Sequence, residues 1–368
     1  MDKILQTGLA FGMSATSGIH PRKPNRPDSH FDGKHLMPQS FCPDTRDRVS
    51  IPTKTGGPIE VSHICIGAWP WGDSATWHWS DEELPAVKEA WRYLYDEGIN
   101  FIDTAESYGH GKSEELVGDL VRGLPRDSFV IQTKWLGLPV APTNIFSPSD
   151  APLKSLKRSL KRMRLDYVDI LLVHGHIHRQ SIETVARSLA QCVDEGLART
   201  VGVANYALDD FQKMRQELAK YGVPLAINQL EFNVLRRLPE IDGDMTVYKE
   251  LDVVFQSYSS LAQGRLTGKY NAGRPPPSTY RFSNYYMEDI QPTLDVLERV
   301  GRKRGKSAAA VALNYNISKG ALPLVGIRSL DQAQQAVSAL GWRLTEDEVK
   351  EIDEHSFVGR KTKLWQQG

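Results

Sequence analysis

The sequence predicts a single closed (β/α)8 barrel, the TIM barrel of the α/β class, preceded by an N-terminal β-hairpin and ended by a C-terminal helix. Three observations predict it. From about residue 49 onward, short runs rich in Val, Ile and Leu alternate with amphipathic helical stretches. Eight such runs follow the hairpin, each succeeded by helix, which is the rhythm of right-handed βα crossovers. The first βα turn, GAWPWG, is a poor match to the Gly-rich fingerprint of a doubly wound open sheet, so closure is the better reading.

Taken in order, VSIPTKTGGPIEVSHICIG reads as a hairpin turned at Gly56-Gly57 and running on into the first barrel strand. The eight strands are expected at 64–67, 101–104, 130–134, 168–174, 200–204, 225–229, 253–257 and 322–326. SDEELPAVKEAWRYLYDEG is a helix, because Ser80 and Glu83 form a capping box and Gly98 closes it. SEELVGDLVRG is the second helix. APLKSLKRSLKRMR, with Leu153, Leu156, Leu160 and Met163 on one face, is the third, and its basic residues form the solvated face. SIETVARSLAQCVDEG and ALDDFQKMRQELAKYG continue the alternation. A short helix around MTVYKE, helices over 289–303 and 307–318, and SLDQAQQAVSAL complete it. TEDEVKEIDEHS is the terminal helix, opened by the capping box Thr345/Glu348.

The 368 residues carry 45 Lys plus Arg against 45 Asp plus Glu, a net charge of zero. That argues against a general binder of nucleic acid or of a membrane surface, both of which need a basic face. No apolar run approaches the roughly 20 residues of a bilayer span. Cys42, Cys65 and Cys192 are far apart and odd in number, so neither a disulfide framework nor a zinc knuckle is written here. Residues 1–48, rich in Pro, Asp, His and basic residues without hydrophobic period, are expected to form an irregular arm; residues 49–357 form the barrel and 358–368 a tail near the substrate pocket. A cytoplasmic location is expected, with organelle targeting by the arm as the alternative.

Active sites of such barrels lie at the C-terminal ends of the strands. There the sequence places Asp103 and Tyr108, Lys134, His174, Asn205, Gln229, Ser257 with Tyr258, and Arg328 with Ser329. A lysine ammonium beside a phenol stabilises phenolate, and a carboxylate holds the lysine in place. A tyrosine so tuned exchanges a proton with a carbonyl oxygen near neutral pH, and a histidine can orient that oxygen. Each residue also has a plainer reading: Asp103 a helix cap, Tyr108 a loop aromatic, Lys134 a snorkelling strand end, His174 a hydrogen-bonded strand end. Their placement on successive strand ends carries the argument.

GINFIDTAESYGHGKSEELVGDLVRG resembles the aldo-keto reductase signature G-x-N-x-x-D-T-A-x-x-Y-G-x-G-x-S-E-x-x-x-G. QTKW, DILLVH, VGVANY, INQLEFNVL, SYSSLAQGRLTGKY and LVGIRSLDQAQ follow in that family's order, so the resemblance spans roughly residues 49–357. It looks closest to the shorter-loop branch that holds pyridoxal reductases, potassium-channel β subunits and fungal and plant reductases. The resemblance implies a catalytic tetrad of Asp103, Tyr108, Lys134 and His174, with Tyr108 the general acid for carbonyl reduction. It implies NADP(H) as cofactor: Asn205 and Gln229 on the carboxamide, Tyr258 on the ring, and Leu261, Gln263, Gly264 and Lys269 along the pyrophosphate loop, with Ser259 and Gly326 also among the cofactor-binding residues. Arg328 and Ser329 would meet the 2′-phosphate, with Gln332 and Gln335 near the adenosine. Arg328 argues for the phosphorylated dinucleotide, since a guanidinium suits a phosphate. Ser329 and Gln332 also read as a capping box.

Four positions depart from the family pattern: Ala68, Gly175, Ala204 and Ala336. The expected partner is a small-molecule carbonyl compound, with no nucleic acid and no membrane. Trp69 and Trp71, with His174, are expected to line its pocket. Loop aromatics Trp77, Trp79, Tyr280, Tyr285, Tyr286 and Trp365 suggest a flat or hydrophobic compound. No metal is expected, because the His174, His176 and His178 run lacks histidines on later strands. The GKS triplets at 111–113 and 305–307 lack the glycine five residues earlier that a P-loop requires. The rival readings are an NADPH-holding regulatory subunit with negligible turnover, or the same site run as an alcohol dehydrogenase.

Overall fold

A computed structural model describes residues 47–276 and 285–359. The arm up to residue 46, Tyr280 and residues 360–368 with Trp365 lie outside them. Strands β3 (Cys65–Gly67), β4 (Phe101–Asp103), β5 (Val130–Trp135), β6 (Val168–Val173), β7 (Ala198–Ala204), β8 (Leu225–Glu231), β9 (Val254–Tyr258) and β10 (Leu322–Gly326) form a closed parallel barrel. The ring closes where β10 pairs with both β3 and β9. Helices cover its outside, and the largest apolar core lies between them and the strands.

Hydrophobic period accounts for the helices. Over Ala151–Met163, Leu153, Leu156, Leu160 and Met163 are buried, while Lys154, Lys157, Arg158 and Lys161 face outward. Each leucine so buried contributes about 1.5–3 kcal/mol relative to exposure. Helix Ala308–Ser318 has every residue buried, consistent with its run of alanines and lack of charge. The capping boxes of Ser80/Glu83 and Thr345/Glu348 are both present. At Ser80 the box opens a 3-10 turn, Asp81–Glu83, ahead of helix Leu84–Asp96. Short helices at Ser74–Trp77, Pro142–Phe146 and Leu238–Ile241 carry too few residues to show a period in sequence.

The hairpin departs from expectation in its turn. β1 (Arg48–Ile51) and β2 (Ile59–Ser62) pair antiparallel with Ile51 opposite Ile59, so the connection takes residues 52–58 instead of turning at Gly56-Gly57 alone. Thr53 ties that loop through the carbonyls of Thr55 and Gly57. Ile51, Ile59 and Val61 of the hairpin share a second apolar core with Phe101, Val130 and Leu322, the first residues of three barrel strands. The hairpin therefore covers the floor of the barrel. Asn100 fastens it, accepting from the Ser62 amide at 2.9 Å and donating to the Glu60 carbonyl at 3.0 Å.

Candidate active site

The upper half of the barrel lumen is polar. Asp103 ends β4, and the alternation of β5 sends Gln132 and Lys134 inward together. Lys134 is 1% exposed, and its ammonium spends its donors on Asp103 Oδ1 at 2.5 Å, the Thr104 carbonyl at 2.9 Å and the Tyr108 hydroxyl at 3.1 Å. Burial lowers the Lys134 pKa, and the Asp103 charge opposes that shift. Asp103 Oδ2 accepts from Gln132 at 2.5 Å and from Gln229 at 3.1 Å, so both carboxylate oxygens are engaged. Gln256 Oε1 accepts from the same two amides at 2.8 Å each. Burying a charge is tolerable only with such pairing and hydrogen bonding.

Tyr108 stands on the turn after β4. Gly109 and His110 both take φ near +54°, which bends the chain sharply behind the phenol. A side chain at Gly109 would also strike the Gly72 carbonyl, its Cβ falling 2.4 Å from that oxygen. This close approach of two loops brings Trp69 over Tyr108, ring centroids 5.9 Å apart and nearly parallel. His174, directly after β6, meets the Tyr108 ring edge-on at 5.5 Å, and its Nδ1 lies 3.5 Å from Ser107 Oγ. Phenol, ammonium, carboxylate and imidazole thus come together at the mouth.

The remaining motif residues have structural duties. Ser113 donates to the Ala68 carbonyl at 2.8 Å and meets Thr104 Oγ1 at the same distance. Buried Glu114 accepts from Thr133 and Arg162, each at 2.6 Å, tying β5 to the helices outside it.

The expected cofactor residues are distributed unevenly. Asn205, in a left-handed conformation with φ +56°, donates to the His174 carbonyl and accepts from the Tyr258 hydroxyl at 2.8 Å. Gln229 is 4% exposed, and its amide nitrogen points into the lumen network. Beyond β9, Ser259, Gln263 and Gly264 all have positive φ, and Gln263 Oε1 is buried without a hydrogen-bond partner. Leu261 packs on the core, while Lys269 is exposed beside Tyr270. Gly326, the last residue of β10, is exposed, and beyond it Ser329 caps helix Leu330–Val337 by accepting from the Gln332 backbone amide. The Gln332 side-chain oxygen Oε1 accepts from the Arg328 backbone amide at 2.7 Å, not from that of Ser329, so the expected reciprocal box is shifted by one residue. Gln335 donates to Asp331 one turn earlier.

Two residues have partners that the sequence did not announce. Trp71 does not line the mouth: it is 1% exposed, and its indole donates to the Ile327 carbonyl at 2.7 Å inside the core. Arg328 is held in a two-pronged pair by Glu83, Nε to Oε2 at 2.6 Å and Nη2 to Oε1 at 2.5 Å. Sequence reasoning also passed over Gln132 and Gln256. A signal for them existed, since each is an amide residue two positions before a site residue on the same strand, and so on the same face.

His176 and His178 are built into the wall beside the mouth. His176 pairs with Asp210 at 2.6 Å. His178 Nδ1 lies 2.9 Å from the Gln180 carbonyl and Nε2 lies 2.7 Å from the Tyr206 hydroxyl. Burial pushes the Tyr206 pKa well up, so the phenol stays protonated and donates to Nε2, leaving Nδ1–H for Gln180. Burial holds the His178 pKa down at about 4. As pH falls from 6.5 toward 4, the unfolded chain takes up a proton here that the folded chain refuses, so stability is lost through that window. The loss is expected to be on the order of 1–3 kcal/mol from this site. His178→Gln, which keeps one donor and one acceptor, should flatten that part of a plot of Tm against pH. An unchanged slope would refute the assignment.

Comparison with known proteins agrees with this geometry. Residues 63–356 match the model of the Aldo/keto reductase family. The chain is 32% identical over 312 residues to the chloroplastic pyridoxal reductase of Arabidopsis thaliana, covering 81% of this chain and 84% of the relative. It is likewise 32% identical over 305 residues to the L-glyceraldehyde 3-phosphate reductase of Escherichia coli (strain K12), covering 77% and 87%. Among solved structures, the glycerol dehydrogenase from Gluconobacter oxydans superposes with a TM-score of 0.72 at 26% identity, covering 87% of this chain and 99% of that one.

Proposed function

We propose, for a chain that belongs to the aldo/keto reductase family and is therefore an oxidoreductase, that it reduces an aldehyde or ketone to an alcohol with Tyr108 as the proton donor. The observation that carries this reading is the buried Asp103–Lys134–Tyr108 chain of hydrogen bonds opening beside His174. NADP(H) is the cofactor. The groups at the mouth fit it: a guanidinium at Arg328, an ammonium at Lys269, and a capped helix start at Ser329 suit phosphate oxygens. The buried, unpartnered Gln263 amide oxygen on the loop after β9 is a polar group awaiting a partner. When bound, the reduced nicotinamide supplies the hydride.

The chain's own residues do the rest. Tyr108 passes its phenolic proton to the substrate oxygen as charge develops there. The Lys134 ammonium, already donating to the phenol oxygen, stabilises the phenolate left behind. Asp103, held by two glutamine amides, keeps Lys134 aimed at Tyr108. His174 orients the substrate oxygen, and Trp69, stacked on Tyr108, walls that side and keeps water from the phenol. An aromatic aldehyde or pyridoxal fits a pocket with such a wall, and both serve as the first test substrates. Steady oxidation of NADPH with either supports the reductase. Tight NADPH binding without turnover of any carbonyl compound favours a regulatory subunit instead.

The cofactor assignment has its own test. Arg328→Ala is expected to weaken NADPH by about tenfold or more, the worth of a charge-assisted phosphate contact, and NADH by far less. Equal losses for the two dinucleotides, titrated by quenching of tryptophan fluorescence, would refute the placement of the 2′-phosphate at Arg328.

A further inference from the structure

We propose that Glu83 sets the cofactor preference by occupying Arg328 in place of the 2′-phosphate. The inference rests on the assignment of that phosphate to Arg328.

The geometry is that of a self-filled anion site. The Glu83 carboxylate takes the Nε and Nη2 edge of the guanidinium at 2.6 and 2.5 Å, the parallel arrangement that a phosphate also prefers. Arg328 Nη1 donates to the Trp77 carbonyl at 3.1 Å. The two residues lie 245 positions apart, and the contact joins the 3-10 turn Asp81–Glu83 to the end of β10. Both side chains remain more than a quarter exposed, at 27% and 29%, so an incoming anion can reach the pair. Hydrogen bonding to Arg328 holds the Glu83 carboxyl below its ordinary range, so it is ionised wherever the protein works. A dianionic phosphate must therefore displace a charged carboxylate or share the fork with it. The apparent affinity for NADP(H) is then the intrinsic affinity reduced by the opening of this pair. A 2′-hydroxyl carries no charge and meets no such barrier. Glu83 thus narrows the advantage that Arg328 alone would give to the phosphorylated dinucleotide.

The same pair reaches toward the substrate side. Trp77, whose carbonyl Arg328 holds, packs edge-on against Trp69 at 5.4 Å, and Trp69 stacks over Tyr108. Release of Arg328 by Glu83 on phosphate binding therefore acts on the segment that carries this aromatic wall.

Glu83→Gln isolates the charge. Glutamine also completes an N-terminal capping box, so the bond from the Ser80 amide survives the change. Dissociation constants for NADPH and NADH are measured by fluorescence titration for wild type, Glu83→Gln and Arg328→Ala. Glu83→Gln is expected to tighten NADPH by about three- to tenfold while NADH changes less than twofold. Unchanged or weaker NADPH binding in Glu83→Gln, with Arg328→Ala still selectively damaging NADPH, overturns the role of Glu83 and leaves the phosphate assignment standing. Equal damage to both cofactors in Arg328→Ala overturns the phosphate assignment, and the role of Glu83 falls with it.

Discussion

Tyr108→Phe is expected to lower kcat for carbonyl reduction by about 10²–10⁴, the usual worth of a positioned general acid, while NADPH still binds. The substitution removes one oxygen and leaves the ring, so the stack with Trp69 and the edge contact with His174 persist. What is lost is the hydroxyl that accepts from Lys134 at 3.1 Å and that would deliver the proton. Hydride transfer without that proton would leave an alkoxide facing a buried cation and no acid. Single-turnover oxidation of NADPH, followed by absorbance, separates this from cofactor loss, which fluorescence titration reads independently. Undiminished turnover would move the acid role to another group, with His174 the neighbour to examine.

Lys134→Met should damage both catalysis and folding. The ammonium is the cation that allows Asp103 to lie charged at 1% exposure, and removing one member of a buried pair costs about 3–5 kcal/mol. Thermal unfolding should show it as a drop of several degrees. Turnover should fall as far as in Tyr108→Phe, even at temperatures where circular dichroism shows the variant folded. The double variant Lys134→Met/Asp103→Asn separates the two effects. With no uncompensated carboxylate left in the lumen, it should regain part of the lost stability and none of the activity. Recovery of activity together with stability would reduce the pair to a structural role.

The regular frame was legible because its signals are local. Apolar runs set β10 at its observed bounds, and the pairs Ser80/Glu83 and Thr345/Glu348 mark helix starts through contacts three residues apart. Asp103, Tyr108, Lys134 and His174 were legible as a group because the strand ends of a barrel must converge. Contacts made by ring closure were not. Glu83 reads as a capping residue and is one, yet its pairing with Arg328 exists only because β10 returns beside β3. Trp71 reads as a pocket aromatic among its neighbours, and only the position of Ile327 across the same seam shows why it is buried. Gln132 and Gln256 acquire meaning only when β5 and β9 face each other across the lumen. The seven-residue hairpin connection escaped because two glycines mark a bend without stating how many neighbours it takes in.

The hairpin under the barrel has a consequence for proton traffic. With Ile51, Ile59 and Val61 packed across the lower end, the lumen is closed below among the described residues, and Lys134 and Asp103 lie buried toward its upper end. Among the described residues, this apolar layer stands between them and the solvent below. In the proposed reaction, a proton given to the product is then expected to be replaced through the mouth, along the path that substrate and alcohol use. With Tyr108 as the proposed acid, its reloading is expected to follow product exit in each cycle.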